Sequence, residues 1–192
     1  VYLPHRDVGG DYYDVVKLPS NELVFCVADV SGKGIPAALL MSNFQAHLRA
    51  LINYHHNLRQ LVAALNKAVL NITKGDKFIT LFIGKLDDKT GLLKYISAGH
   101  VPPLLIRGEE IKELKEGTTI LGMFDELPFL HVGKIHLEPG DILLAFTDGL
   151  SEVSDYRGRA FGMQQMGQLV QNHQADKLRD IEKKLLETLI KF

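Results

Sequence analysis

Hydrophobic positions along the chain fall into two kinds of pattern. Leu23 to Ala28 is a continuous apolar run rich in strand formers, with the turn Pro19-Ser20-Asn21 before it and Asp29 after it. Phe78 to Gly84 and Ile142 to Phe146 have the same character, and Leu92 to Ile96, Leu104 to Arg107 and Leu130 to Leu137 complete a set of short strands. The turns between them, Asp-Asp-Lys-Thr-Gly, Arg-Gly-Glu-Glu and Glu-Pro-Gly-Asp, suit antiparallel hairpins. Helical spacing takes over between the early and late strands. Ala37, Leu40, Met41, Phe44, Leu48, Leu51 and Ile52 make one stripe, and Leu58, Leu61, Val62, Leu65, Val69 and Ile72 make a second. After Phe161 the chain returns to helix, with Leu178, Ile181, Leu185 and Leu189 on one face. Strands in two groups with helices inserted between them predict an α+β fold, because strands buried on both faces need sheet on one side and helix on the other.

Composition narrows the class. The 192 residues are 46% hydrophobic and 23% charged, ordinary globular usage. The expectation is one domain over residues 1–192, cut from a longer chain because it opens without Met. Lysine and arginine number 22 against 23 acidic residues, a net charge of −1, so no overall field favours nucleic acid or anionic lipid. The single cysteine, Cys26, fits a reducing compartment. With no apolar run of about 20 residues and no signal pattern at Val1 to Asp7, the expected location is the cytoplasm, with no membrane insertion in this segment.

Three aspartates stand where apolar extended chain gives way to glycine or a small residue: Asp11 after Gly9-Gly10, Asp29 after Val27-Ala28, and Asp148 between Thr147 and Gly149. Each alone is equally well read as a turn former or helix cap. Together they point to a hard, oxygen-rich site for Mg or Mn rather than Zn. His55-His56 reads as solvated surface, and Ser31-Gly32-Lys33-Gly34-Ile35-Pro36 as a tight strand-to-helix turn with a solvated Lys33.

These segments, in order, resemble a known family. Val8-Gly9-Gly10-Asp11-Tyr12-Tyr13-Asp14, the run from Ala28 to Met41, Ser97-Ala98-Gly99-His100-Val101-Pro102-Pro103-Leu104-Leu105, and Phe146-Thr147-Asp148-Gly149-Leu150-Ser151-Glu152 look like the signature blocks of SpoIIE/RsbU-type phosphatases in the PPM (protein phosphatase 2C-like) superfamily. The resemblance implies a four-layer α-β-β-α sandwich with two central antiparallel sheets. It implies metal-dependent hydrolysis of phosphoserine or phosphothreonine on a protein, with two Mn or Mg ions. Asp29 would bridge the ions, Val30 would add its backbone carbonyl, Asp11 would hold a water on the metal, and Asp148 would bind the other ion. Arg6, five residues before Asp11, stands where eukaryotic relatives carry a phosphate-binding arginine.

The chain also departs from the pattern. It ends in the helical Leu185 to Phe192 in place of a final Asp-bearing strand, so one ion is expected to be weakly held or missing in this fragment. Ser31 occupies the position of the eukaryotic general-acid histidine, and no general acid is assigned. The implied substrate is a phosphorylated regulatory protein of the anti-sigma-factor antagonist class, with an upstream sensor domain or activator. The alternative is a PPM-fold domain with weak or no catalysis that binds a phosphoprotein partner or transmits a signal.

Overall fold

The computed structural model describes residues 9–55 and 57–192. These form two compact units, one of residues 9–102 with Leu114–Leu137, the other of Pro103–Glu113 with Glu138–Phe192.

In the first unit, β1 (Tyr12–Lys17) pairs antiparallel with β2 (Glu22–Val30), and β2 with β3 (Ile79–Asp87). β3 in turn pairs with β4 (Leu92–Ala98). Two long helices, α1 (Gly34–Leu51) and α2 (Leu58–Thr73), lie between β2 and β3 in sequence. Alternation in β2 puts Val24, Cys26, Ala28 and Val30 on one face, where they share a core with Phe44 and Leu48 of α1 and Leu61, Leu65 and Val69 of α2. Asn57 caps α2 by accepting from the Arg59 N–H, and Lys74 closes it in the left-handed conformation. Arg49 of α1 makes two hydrogen bonds to Asp14 of β1, at 2.5 and 2.7 Å, and so fastens the helix to the edge strand.

The elements match the expected pattern with definite shifts. The strand expected at Leu130 to Leu137 is β8 (Gly133–His136), antiparallel to β4. A two-residue strand, β7 (Gly117–Thr118), pairs with β4 in parallel, so the sheet is mixed at that edge and not wholly antiparallel. Ile72, assigned to the buried stripe of α2, is exposed.

The second unit holds a smaller antiparallel sheet in the order β6-β5-β9, of β5 (Leu104–Arg107), β6 (Glu110–Glu113) and β9 (Ile142–Leu144). β9 is shorter than the expected Ile142 to Phe146. The Arg107 guanidinium grips Asp141 with two hydrogen bonds of 2.6 and 2.8 Å and Glu138 with a third of 2.8 Å, which locks β9 beside β5. A short α3 (Asp148–Ser151) follows, then α4 (Gly162–Asn172) and α5 (Leu178–Lys191). α4 packs on β5 through Gly167, where a Cβ would lie 3.1 Å from Ile111 and 3.2 Å from Leu104. Ile181, Leu185 and Leu189 of α5 are buried as expected, but Leu178 is exposed at the start of that helix. The whole is α+β, with two sheets accompanied by helices.

Candidate functional site

Strand register sets the candidate site of the first unit. Tyr12 pairs with Ala28, so the next step outward puts Asp11 beside Asp29. Tyr12 and Ala28 face the helices and are buried, and by alternation Asp11 and Asp29 lie on the opposite face. Both are half-buried. Val30 ends β2 with its side chain in the core. Gly10 lies against it: a Cβ at Gly10 would stand 3.0 Å from the Val30 carbonyl oxygen and 3.4 Å from the Ala37 Cβ. Glycine at position 10 therefore lets the Asp11 strand approach the end of β2 and the first turn of α1.

The turn after Val30 is pinned to β3. The Ser31 N–H donates to the Phe78 carbonyl and the Ser31 Oγ accepts from the Phe78 N–H, both at 2.9 Å. Ser31 is thus tied to the backbone of Phe78 through both its N–H and its hydroxyl oxygen. Lys33 is exposed, as expected of a solvated lysine, and Pro36 sits in the first turn of α1. Lys77 lies over the turn, where a Cβ at Gly32 would be 2.9 Å from its Nζ. Asp29 pairs across to Thr80 of β3, and the Thr80 Oγ1 is 2.9 Å from the His100 Nδ1. His100 is buried, and its carbonyl accepts from the Ser97 Oγ. Sequence reasoning passed over Thr80 and Lys77; the available signal for Thr80 was a lone hydroxyl in the apolar run Ile79 to Gly84.

Asp148 belongs to the second unit. It opens the four-residue α3 and is exposed, immediately after the chain leaves β9 through Phe146 and Thr147. The Arg107 to Asp141 clamp fixes the strand that delivers it. The segment that follows is ordered by Asp155, whose carboxylate accepts from the Arg157 and Arg159 N–H groups and pairs with the Arg159 side chain at 2.7 Å. Hydrogen bonds from these arginines outweigh burial and hold the Asp155 carboxyl below the usual carboxylate range, the Arg159 N–H contributing most.

Arg6, the expected phosphate ligand, lies outside the described residues. Among the described residues, no three His, Cys, Asp or Glu side chains gather as a preformed metal cluster. The donors that Asp11, Asp29, Val30 and Asp148 offer are carboxylate and carbonyl oxygens without imidazole or thiolate, a chemistry suited to Mg or Mn. No helix of the described residues is long and apolar enough to cross a membrane.

Comparison with known proteins agrees with these signatures. Among curated proteins, the chain is 31% identical to Protein IcfG of Synechocystis over 86% of its own length and 30% of that protein. It is 28% identical to the phosphoserine phosphatase RsbU of Bacillus subtilis over 100% of its length and 57% of that protein. The chain therefore spans about a third to somewhat over half of these relatives. Among solved structures, it superposes on the RsbU and RsbW domains of Rv1364c from Mycobacterium tuberculosis with a TM-score of 0.80 at 27% identity, covering 97% of this chain and 52% of that one. The SiaA-PP2C domain of Pseudomonas aeruginosa matches with a TM-score of 0.86 at 20% identity, over 98% and 76% of the two chains. RsbX, solved in complex with magnesium, matches with a TM-score of 0.69 at 19% identity, over 95% and 81%. These neighbours share the PP2C fold. The profile of the stage II sporulation protein E (SpoIIE) family matches residues 19–192, and the chain belongs to that family, as a SpoIIE/RsbU-type domain of the PPM superfamily.

Proposed function

We propose that the chain is a metal-dependent protein serine/threonine phosphatase domain, acting in the cytoplasm on a phosphorylated regulatory protein of the anti-sigma-factor antagonist class. The observation that carries this reading is the register that leaves Asp11 and Asp29 side by side on one face at the end of β1 and β2. Membership of a family that includes a phosphoserine phosphatase supports the reaction class, and a magnesium complex of a fold neighbour supports the metal.

In this reading Asp11, Asp29, the Val30 carbonyl and Asp148 hold two Mn or Mg ions, and Arg6 orients the phosphoryl group. Bound there, the ions would draw a nucleophile from water and offset charge on the phosphoryl oxygens. The protein's own part is to keep these oxygens in place. Gly10 admits the Asp11 strand, Ser31 anchors the turn beyond Val30, and Thr80 with His100 braces the strand beside Asp29.

The test is turnover of a phosphoserine peptide with Mn, with chelator, and in Asp29→Asn. The expected result is Mn-dependent turnover that chelator abolishes and Asp29→Asn removes, with an unchanged circular dichroism spectrum. Undiminished turnover in Asp29→Asn would sink the assignment. The alternative is a domain with weak or no catalysis that binds a phosphoprotein partner or transmits a regulatory signal. Saturable phosphopeptide binding without turnover at any Mn concentration would establish that alternative.

A further inference from the structure

The first unit contains a second polar site, far along the same strands and on the other face of the sheet. Lys85 of β3 pairs directly with Lys94 of β4, and Lys94 pairs directly with Lys134 of β8. Three like charges thus stand in one cross-strand row, an arrangement that opposes folding. A neutral row would serve the sheet better. The adjacent row of the same strands shows what packing alone selects: Phe25, Gly84, Tyr95 and Gly133 alternate aromatic and glycine, each ring lying over a neighbouring glycine.

The lysine row borders a cavity of about 570 Å³, within the roughly 300–1,000 Å³ of ordinary small-molecule sites. Asn57, which caps α2, and Leu58 and Arg59, which begin it, line the cavity too, as do Glu116 and His131. Lys85 is the most enclosed cation, its side chain only 11% exposed, and it is tied to Glu22 at 2.8 Å. Burial pushes the Glu22 carboxyl up, but hydrogen bonds from Lys85 and Ser20 outweigh it and hold the group below its usual value. Arg59, Lys94 and Lys134 have no ion-pair partner among the described residues. Among the described residues, four cations and the carboxylate of Glu116 line the cavity and Glu22 pairs with Lys85 beside it, a surplus of two positive charges in a chain whose net charge is −1.

We infer that this cavity binds a phosphorylated small molecule carrying at least two phosphoryl groups. Lysine ammonium groups are point-charge phosphate binders. Rooted on neighbouring strands about 4.8 Å apart, three of them present an extended line of charge rather than a single focus. The first turn of α2 carries no acidic residue to oppose an anion. Leu58 and Val132 are the aliphatic residues of the lining, and the stems of the lysines add methylene surface beside their charged heads, so the cavity offers cations for phosphoryl groups and apolar surface for the rest of a ligand. The site is separate from the aspartates: Lys85 is five residues along β3 from Thr80, the partner of Asp29, or about 17 Å.

The probe is inorganic pyrophosphate, titrated calorimetrically into the chain in metal-free buffer with chelator, so that the aspartate site has no metal through which to hold it. The expected result is one saturable site, weaker for orthophosphate, with affinity reduced at least tenfold in Lys94→Gln/Lys134→Gln. Arg59→Gln, on a helix outside the sheet, should also weaken binding and keeps the test decisive if the double variant fails to fold. Absence of saturable binding, or equal affinity in the variants, overturns the inference. Tighter binding of hexaglutamate than of pyrophosphate overturns it too, in favour of an acidic protein segment. None of these outcomes depends on phosphatase turnover.

Discussion

β2 and β3 carry opposite chemistry at their two ends. At one end Asp29 and Thr80 lie opposite each other with Asp11 beside them, on the face away from the helices. At the other, Lys85 begins a row of lysines on the helix face, where α2 starts. Between the ends the strands are packed tightly, with Ala28, Leu81, Phe82 and Ile83 fully buried. The contrast teaches where a sheet of this kind can accommodate charge. The buried middle tolerates none without a partner, so ligand chemistry concentrates where packing stops.

The largest expected effect breaks the symmetry between the ends. Asp29→Asn should lower Mn-dependent turnover of a phosphoester by about a hundredfold or more, because an amide cannot supply the charge that holds a cation. Lys94→Gln should leave turnover within about twofold, since surface changes distant from a site act weakly. Parallel assays of the two variants decide whether the ends are independent. A comparable loss in Lys94→Gln would mean that they are one functional unit.

Next in size is the middle. A Cβ at Gly84 would lie 2.5 Å from the Phe25 ring, so Gly84→Ala must displace an aromatic side chain inside the sheet. The expected cost is about 1–3 kcal/mol, read as a lowered denaturation midpoint at unchanged slope. Gly108→Ala, in the hairpin turn of the second unit with nothing within 4 Å of its Cβ, isolates the backbone contribution, because its φ of 54° strains any side chain there. Gly84 itself lies in extended β3, so its loss reads crowding alone, and an unchanged midpoint in Gly84→Ala would mean that the Phe25 ring yields without cost.

Sequence alone conveyed one end better than the other. Asp29 was legible because a carboxylate ending a run such as Val24 to Ala28 is conspicuous, and the helix stripes were legible from their spacing. Ile72 and Leu178 misled because periodicity reports a face but not where the covering element ends. The pairing of Asp11 with Asp29 follows from a register that no local pattern prints. The lysine row was invisible for the same reason: Lys85, Lys94 and Lys134 lie 9 and 40 residues apart and meet only through strand pairing. Likewise Arg49 is fastened to Asp14, a residue 35 positions away that meets it only in the folded chain.

That fastening gives a smaller, pH-dependent effect. Burial raises the Asp14 carboxyl, but hydrogen bonds from Arg49 and Tyr12 outweigh it and hold the group below its ordinary value. A folded-state pKa below the unfolded one contributes stability that is present above the unfolded value, roughly pH 4, and is lost as pH falls through the folded value. Asp14→Asn should therefore flatten the acid limb of the stability curve, with a difference at neutral pH of up to about 1 kcal/mol, the partner guanidinium being half exposed. Urea melts between pH 7 and pH 3 measure it. An identical acid limb in the variant would mean that other carboxylates, such as Asp141 beside Arg107, carry the dependence.

The smallest effect tests the lysine end without any ligand. Lys94 has Lys85 on one side and Lys134 on the other, each directly opposite, and like charges so placed are destabilising by about 0.2–1 kcal/mol a pair. Lys94 is exposed, so water and salt screen much of this, and the lower part of that range applies. Lys94→Gln keeps a polar side chain only one atom shorter and removes both repulsions. It should raise stability by a few tenths of a kcal/mol at low salt, and the gain should shrink toward zero as ionic strength rises to about 1 M. Pyrophosphate should reverse the order, stabilising the parent chain more than the variant, because only the parent keeps the full row to bind it. Thermal melts at two salt concentrations, with and without pyrophosphate, separate these cases. A parent chain already more stable than Lys94→Gln in low salt without added anion would mean that Glu22 and Glu116 satisfy the row within the protein, and that its charge is structural.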